Sequence, residues 1–317
     1  MQLLAIDFET ASGRDAVCAV GLYLFGNGNT TSEYHLIDPE INPDDWDSMA
    51  MFIHGITPED VVGAPNFSKT WQRIEELSAG ATLLAHNAGF DMSVLRHSFG
   101  RYSISPPEIR YLCSAKIAKK VWPEIPTTRL DYVSDLLDID FIHHNPEEDA
   151  MASAMIFQKA IQKHYGNPTL DIDVDEFIAE IGLQFGRILP DLNYKPCGTP
   201  GHKNAAKLSK KTIDYTPNPD REIDEGNPLF GSRVAFTGTL SSMNRTEAFM
   251  RLFDLGAEPE TSVTKKTNYL VTGDQDVWKF RPGSEVSSKM QKAIDLSSAG
   301  QEIEIVGESD FLKLLLS

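Results

Sequence analysis

Apolar runs that end in acidic or polar residues recur along the first half of the chain. In the first of them, Leu3–Ile6 leads directly into Asp7 and Glu9. A run this apolar predicts a buried central strand. Because strand side chains alternate, Asp7 and Glu9 face one side and Phe8 the other. Two neighbouring buried acids repel each other, and a cation between them would relieve the repulsion; a solvated strand end is the alternative.

The same pattern predicts two further strands, over residues 16–25 and 30–37, which form an antiparallel meander with the first. A short buried strand over 81–85 then runs into the polar segment His86-Asn87-Ala88-Gly89-Phe90-Asp91 and an amphipathic helix. Asp91 therefore lies at a helix start just beyond a strand end. Complementarity to the helix dipole is the alternative role for this acid.

A third polar segment precedes the helix that begins near residue 146. Asn145 suits the N-cap, Pro146 the first helical position, and Glu148 completes a capping-box spacing. His144 then lies one residue before the cap and Asp149 in the first full turn. A histidine that only borders a helix entry is the alternative reading of His144.

Length and pattern divide the 317 residues into three parts. We expect a first domain over residues 1–165. Residues 166–228 come next. Their pattern predicts an acidic helix over 173–185, and their composition predicts a linker rich in Pro, Gly and Lys from Leu189 onward. Residues 229–317 alternate short strands with helices, which favours a small parallel α/β unit.

The net charge of -17 argues against a broad surface that grips phosphates, but not against an enzyme that holds one strand end through metal ions. The chain lacks both an apolar run of about 18 residues and a basic N-terminal region, so we expect no membrane span and no signal peptide. The three cysteines are widely spaced and form no CxxC pair. We therefore expect a cytoplasmic protein with reduced thiols.

Four acids and one histidine stand at these strand ends and helix starts: Asp7, Glu9, Asp91, Asp149 and His144. Hard oxygen ligands without cysteine suit Mg²⁺ or Mn²⁺ better than zinc. Two such ions roughly 4 Å apart can clamp the attacking and leaving oxygens of a phosphodiester. A histidine beside them can deprotonate the attacking water.

Over residues 1–165 this ordered set resembles the DEDDh 3′–5′ exonucleases, the group that includes the proofreading subunit of bacterial DNA polymerase III. The resemblance rests on Asp7-Phe8-Glu9-Thr10, on His86 to Asp91, and on a histidine five positions before Asp149. The segment His54-Gly55-Ile56-Thr57 is also similar to one common in that family. Pro146 departs from the family, which more often has alanine there. His143 competes with His144 for the role of base, and the five-residue spacing selects His144.

The resemblance implies an RNase H-like fold, a mixed sheet with helices on both sides. It implies that Asp7, Glu9 and Asp149 hold two Mg²⁺ (or Mn²⁺) ions, with Asp7 bridging, while Asp91 completes the shell of the second ion. His144 would be the general base. The expected substrate-binding residues are Thr10, His54, Gly55, Ile56, Thr57 and Asn87.

Residues 229–317 resemble a BRCT domain, in particular that of bacterial NAD-dependent DNA ligases. The similarity begins at Phe236-Thr237-Gly238-Thr239-Leu240 and continues in order to Phe311. The resemblance to BRCT domains that bind phosphate implies a phosphate pocket formed by Thr237 and Gly238 with either Lys289 or Lys292. A simple turn with two exposed helix lysines is the alternative.

Together these features predict a metal-dependent 3′–5′ exonuclease that releases 5′-mononucleotides from single-stranded or frayed DNA 3′ ends. Its BRCT domain would bring it to a DNA polymerase or to repair proteins. One alternative is an exonuclease of RNA or short oligonucleotides. The other is a BRCT-based scaffold for DNA or protein whose nuclease domain is inactive.

Overall fold

The computed structural model describes residues 2–26, 28–166, 172–200, 226–240, 242–273 and 287–316. The chain divides into two compact units. The first comprises Met1–Pro123 and Leu130–His202, and the second comprises Glu124–Arg129 and Lys203–Ser317. Each is described by itself below.

The first unit is built on a seven-stranded sheet in the order β3-β2-β1-β4-β5-β6-β7. The strands β1, β2 and β3 form the expected antiparallel meander, and β1, β4 and β5 are parallel. The strand β6 is antiparallel to β5, and β7 is antiparallel to β6. The sheet is therefore mixed, as predicted. The strand bounds are β1 Leu3–Thr10, β2 Val17–Gly26, β3 Asn29–Leu36, β4 Thr82–Ala85, β5 Ile109–Cys113, β6 Gly186–Ile188 and β7 Tyr194–Lys195.

Seven α-helices and a short 3₁₀ turn over Pro43–Asp45 are described in this unit. The longest helix, α6, lies against β1 and β2. Within the described residues, no helix is both long enough and apolar enough to cross a membrane. The helix bounds are α1 Ser48–His54, α2 Phe67–Ser78, α3 Gly89–Arg101, α4 Ser114–Val121, α5 Leu130–Leu136, α6 Pro146–Tyr165 and α7 Val174–Glu180.

The strand β1 lies in the middle of the core, and all eight of its residues are buried. Phe8 packs in an aromatic cluster on one face of the sheet, where Phe67 stacks with Trp71 and meets Phe99 edge-on. This places Phe8 in the core, opposite Asp7 and Glu9, as the alternation predicted.

The Thr57-Pro58 pair begins a turn, in which Thr57 donates two hydrogen bonds of 2.8 Å to the Asp60 carboxylate. Two local predictions differ from the structure. The helix predicted over 173–185 ends at Glu180, before Gly182 with a φ of 72°. The linker predicted from Leu189 instead contains β7, which extends the sheet. The rest of that segment, residues 201–225, lies outside the described residues.

The sheet extension brings together two cysteines that are far apart in the sequence. Cys113 at the end of β5 and Cys197 after β7 are buried thiols in the same core. A hydrogen bond from the Cys197 thiol lowers the pKa of Cys113. Lys116 holds this segment by donating a 3.0 Å hydrogen bond to the Cys197 carbonyl.

The described residues of the second unit form a four-stranded parallel sheet in the order β11-β10-β8-β9, together with three helices. The alternation of strands and helices predicted this parallel arrangement. Phe236 and Phe311 meet edge-on in its core with ring centroids 5.1 Å apart. The element bounds are β8 Arg233–Thr237, α8 Arg245–Asp254, β9 Glu258–Glu260, β10 Tyr269–Thr272, α9 Ser288–Ser298, β11 Glu304–Gly307 and α10 Glu308–Leu316.

Candidate metal and active site

Three carboxylates meet on one face of the first unit's sheet. Asp7 and Glu9 project from β1, and Asp149 reaches them from the first turn of α6. One oxygen of each lies within 4.8 Å of the others. All three are buried, with exposed fractions of 8%, 2% and 2%. The sequence predicted these acids as ligands, and the fold brings them together.

The fourth acid, Asp91, is anchored to the same strand from the first turn of α3. Its Oδ1 accepts a 3.0 Å hydrogen bond from the backbone N–H of Phe8, which lies between Asp7 and Glu9 in the chain. Asp91 is 1% exposed. A buried carboxylate at a helix N-terminus is stabilised by the helix dipole. This arrangement therefore agrees with both the predicted role near the metals and the simpler dipole role.

Asp149 is positioned by the cap of α6. The Asn145 side chain accepts hydrogen bonds from the backbone N–H groups of Glu147 and Glu148, at 3.1 and 3.4 Å. The backbone N–H of His144 donates to Asp149 Oδ2 at 3.2 Å. The Glu148 carboxylate accepts from the backbone of residue 142, so it does not close the predicted capping box. The N-cap itself is as predicted.

A glycine that the sequence analysis did not single out allows α6 to approach the sheet this closely. Gly21 on β2 pairs with Asp7 on β1. A Cβ atom added to Gly21 would lie 2.0 Å from the backbone of Pro146 and 2.2 Å from the backbone nitrogen of Glu147. The first turn of α6 therefore rests directly on the backbone of β2. Only the fold reveals this contact.

The donor set fits hard divalent cations. Three buried carboxylates within 4.8 Å repel one another strongly, and a divalent ion among them offsets that repulsion. Mg²⁺ and Mn²⁺ take oxygen ligands of this kind. Asp7, Glu9 and Asp149 would hold the metal, with Asp91 beside them.

His144 adopts a left-handed backbone conformation with a φ of 67°. Histidine is one of the residues that tolerates this region better than most. Its ring stacks on that of His143, with centroids 3.9 Å apart and an interplanar angle of 22°. The two histidines and Asp149 form a second group of potential ligand atoms, all within 4.8 Å of one another. The structure therefore brings both histidines to Asp149.

The predicted substrate segment from His54 to Thr57 is fixed to the end of β1. The backbone N–H of Ile56 donates to His54 Nδ1 at 3.0 Å, so the neutral ring carries its proton on Nε2. That Nε2 lies 3.2 Å from the Thr10 carbonyl oxygen, to which it donates. Gly55 permits the turn with a φ of 73°. Thr10 and this segment therefore form one continuous edge beside Glu9.

The segment after β4 is held by a buried hydroxyl pair. His86 Nδ1 lies 2.8 Å from Ser114 Oγ, which accepts a 3.0 Å hydrogen bond from Ser153 Oγ on α6. Asn87 has a φ of 55°, and α3 begins two residues later. The hydroxyl pair joins α4 to α6, and His86 connects it to the segment that leads into α3.

In the second unit, the predicted phosphate residues meet at the end of β8. Thr237 Oγ1 lies 2.6 Å from Ser287 Oγ, and Lys289 Nζ donates to the Phe236 carbonyl at 2.8 Å. Burial, followed by the nearby Arg245, lowers the pKa of Lys289. Lys292 is exposed on the surface of α9.

Gly238 lies next to this cluster and accepts a 2.7 Å hydrogen bond from Arg245. Both residues line a cavity of about 590 Å³ in front of α8. Of the two predicted lysines, the structure therefore brings Lys289, not Lys292, to Thr237 and Gly238.

Residues 4–157 match the exonuclease family model, described as Exonuclease (RNase_T). The matched residues contain all four acids and His144.

Two curated relatives match different extents of the chain. A DNA ligase of Legionella pneumophila (strain Corby) is 42% identical over 100 residues, which cover 31% of this chain and 13% of the ligase. A protein of Mycobacterium tuberculosis (strain CDC 1551 / Oshkosh) described as a bifunctional exonuclease/endonuclease is 27% identical over 179 residues, covering 50% of this chain and 26% of that protein. The chain thus spans only a small part of the length of either relative.

Among solved structures, exonuclease X in complex with 5′-overhanging duplex DNA is similar over 56% of this chain and 98% of its own. The two share 22% sequence identity, with a TM-score of 0.38.

Proposed function

We propose that the protein is a 3′–5′ exonuclease that hydrolyses phosphodiester bonds at DNA 3′ ends and releases 5′-mononucleotides. The observation that carries the proposal is the buried group of Asp7, Glu9 and Asp149 within 4.8 Å, inside the segment that matches the exonuclease family. A purely structural role would leave three buried carboxylates in mutual repulsion, which costs stability. A nuclease uses the same arrangement to hold two Mg²⁺ or Mn²⁺ ions.

Each residue of the site has a role in this proposal. Asp7, Glu9 and Asp149 would hold the two cations, and Asp91 would complete the shell of the second. When bound, the ions would neutralise charge on the attacking and leaving oxygens of the phosphodiester. His144 accepts the proton of the attacking water, from a position tied to Asp149 by its own backbone N–H.

The remaining predicted residues orient the 3′-terminal nucleotide. Thr10 and the segment from His54 to Thr57 form a continuous edge next to Glu9, where backbone groups can meet the sugar and the terminal base. Asn87 shapes the opposite side from the turn before α3. These residues bind and position the substrate, which accounts for much of the rate that a nuclease gains.

The assignment to DNA rests on the second unit. The support for a BRCT domain at residues 229–317 is the small parallel sheet of that unit and the similarity of 100 residues of the chain to a DNA ligase. We propose that this domain places the nuclease at sites of replication or repair in the cytoplasm. We further propose that Thr237, Gly238 and Lys289 bind a phosphate group there, because a hydroxyl, an ammonium group and a helix start converge at this point.

The nuclease proposal is tested with 5′-labelled single-stranded DNA and RNA of the same sequence, each incubated with Mg²⁺ or with a chelator. We expect a ladder that shortens from the 3′ end of the DNA, requires the metal, and is lost in Asp149→Asn. Faster degradation of RNA would replace the DNA assignment with the RNA alternative. Absence of metal-dependent cleavage of either polymer would leave the scaffold alternative.

The phosphate site is tested with the full chain, by measuring its affinity for duplex DNA with and without a 5′-phosphate. Lys289→Gln is expected to remove the preference for the phosphorylated end. Lys292→Gln is the matched control, since this lysine is exposed on the same helix. Equal affinity of the unaltered protein for both DNAs would contradict the phosphate proposal.

A further inference from the structure

The feature that the proposed reaction leaves unexplained is the second histidine, His143. Its ring stacks on His144 at 3.9 Å and also meets Phe141 edge-on at 5.6 Å. One ring nitrogen of each histidine and one oxygen of Asp149 lie within 4.8 Å of one another. A general base needs one imidazole, whereas this chain presents two beside the same carboxylate.

Backbone geometry holds this triad together. Consecutive side chains normally diverge, but the left-handed conformation of His144 brings its ring alongside that of His143. The His144 N–H donates to Asp149, and Asp149 is fixed in the first turn of α6 behind the Asn145 cap. Asp149 is buried while both histidines are only partly buried, so an ion could enter from the histidine side.

The two ligand groups that share Asp149 differ in chemistry. Asp7, Glu9 and Asp149 offer only oxygen, which suits Mg²⁺. His143, His144 and Asp149 offer two imidazole nitrogens and one oxygen, a set that favours Zn²⁺ and neighbouring transition ions. Zn–N distances of about 2.0–2.1 Å place tetrahedral ligand atoms roughly 3.3 Å apart, and the two rings must turn out of their stack so that both nitrogen lone pairs point at one ion.

We propose that His143, His144 and Asp149 form a binding site for Zn²⁺ or a similar transition-metal ion, and that its occupation excludes the catalytic arrangement. An ion held there takes the Asp149 carboxylate from the magnesium group and the His144 imidazole from proton transfer. The metal site stands on geometry alone, whereas its inhibitory effect rests on the proposed nuclease function. His143 would then be the residue that makes the activity sensitive to zinc.

Binding is measured directly on the metal-free full chain, by Co²⁺ absorption in the visible range and by Zn²⁺ competition against a chromogenic chelator. The parent for this experiment carries Asp7→Asn, which weakens the all-oxygen group. We expect one Zn²⁺ per chain, bound at least about tenfold more weakly after His143→Asn. His164→Asn is the matched control, since His164 lies in the last turn of α6 and pairs with Glu180.

Thermal unfolding provides the second readout and shows whether each variant folds. Zn²⁺ should raise the melting temperature of the parent and of His164→Asn, because a ligand that binds only the folded state stabilises it. The melting temperature of a folded His143→Asn should respond much less. Equal zinc affinity and equal thermal shift with and without His143 would overturn the site.

The activity arm separates the two proposals. At fixed Mg²⁺, zinc should inhibit cleavage by the unaltered protein, and His143→Asn should keep its basal activity while needing about tenfold more zinc. Inhibition that is unchanged by His143→Asn would refute the exclusion mechanism. A protein that binds zinc through His143 but cleaves nothing would refute the nuclease proposal and leave the metal site standing.

Discussion

Replacing Gly21 by alanine adds one methyl group at the place where α6 rests on the sheet. Gly21 lies in an extended strand without a positive φ, so alanine suits the backbone and the perturbation is purely steric. The new Cβ would lie 2.0 Å from the Pro146 carbonyl group. Because the obstacle is backbone, it cannot rotate away as a side chain would.

The size of the displacement follows from that distance. Restoring a carbon–carbon contact of about 3.5 Å requires the first turn of α6 to move by about 1.5 Å. Asp149 lies three residues beyond Pro146 in that turn, so its carboxylate moves away from Asp7, which is the strand partner of Gly21. Misplacement by about 1 Å can cost roughly a hundredfold in rate, and overpacking costs about 1–3 kcal/mol of stability.

The assay compares kcat, the Mg²⁺ concentration for half-maximal rate, and the free energy of unfolding. Gly186→Ala is the matched control, because a Cβ on Gly186 would lie 2.1 Å from the Tyr111 ring on β5. Both variants should lose stability. Only Gly21→Ala should lose about a hundredfold in rate and need more Mg²⁺, since only its clash moves Asp149. Equal activity of the two variants per folded molecule would refute the view that Gly21 sets the helix position.

Two further predictions concern stability. Asn145→Ala should lower the free energy of unfolding in urea by about 1 kcal/mol, because it removes the N-cap of α6. It should also weaken activation by Mg²⁺, because Asp149 lies in the same turn. Asn66→Ala removes the N-cap of α2 and should lose as much stability without the effect on activity. Arg73 donates from Nε to Glu33 at 3.1 Å and lowers the pKa of Glu33 below its usual 4.5. This pair stabilises the protein above about pH 4.5, and the contribution fades as the pH falls through the lowered pKa. Arg73→Met should therefore lower the free energy of unfolding at pH 7, and a difference that persists undiminished well below pH 4.5 would contradict the pairing.

The first ten residues illustrate how much the sequence can predict. The buried strand, the side-chain alternation and the cluster of Asp7 with Glu9 follow from an apolar run that meets two acids. The long helix α6 and its N-cap can also be predicted, because Asn145 and Pro146 are helix-start signals that do not depend on the rest of the fold. These local signals lie where the clustered carboxylates lie, so the sequence could predict which acids come together.

What the sequence could not predict depends on contacts between distant segments. The short strands β5, β6 and β7 have weak patterns of their own. They are specified by pairing, which joins β5 to β6 across about 80 residues and then adds β7 to β6. The approach of Gly21 to Pro146 and the hydroxyl link from Ser114 to Ser153 likewise exist only once the sheet has formed. A glycine in a strand signals that another group comes close, but the sequence does not say which one.

The stacking of His143 on His144 is a further feature that the spacing of residues in the sequence does not predict. The five-residue interval to Asp149 selects one histidine, whereas the structure brings both to the carboxylate. The left-handed conformation at His144 decides this, and no local pattern specifies it.

The central claim is that the carboxylates gathered on β1 and α6 hold the metal ions of a 3′–5′ exonuclease. It is tested most directly by following 5′-labelled and 3′-labelled copies of one single-stranded DNA over time, with Mg²⁺, for the unaltered protein and Asp149→Asn. We expect immediate release of the 3′ label as a mononucleotide and stepwise shortening of the 5′-labelled strand. Neither should occur with Asp149→Asn or without metal. Release of the label from the 5′ end first, or equal cleavage by Asp149→Asn, would contradict it.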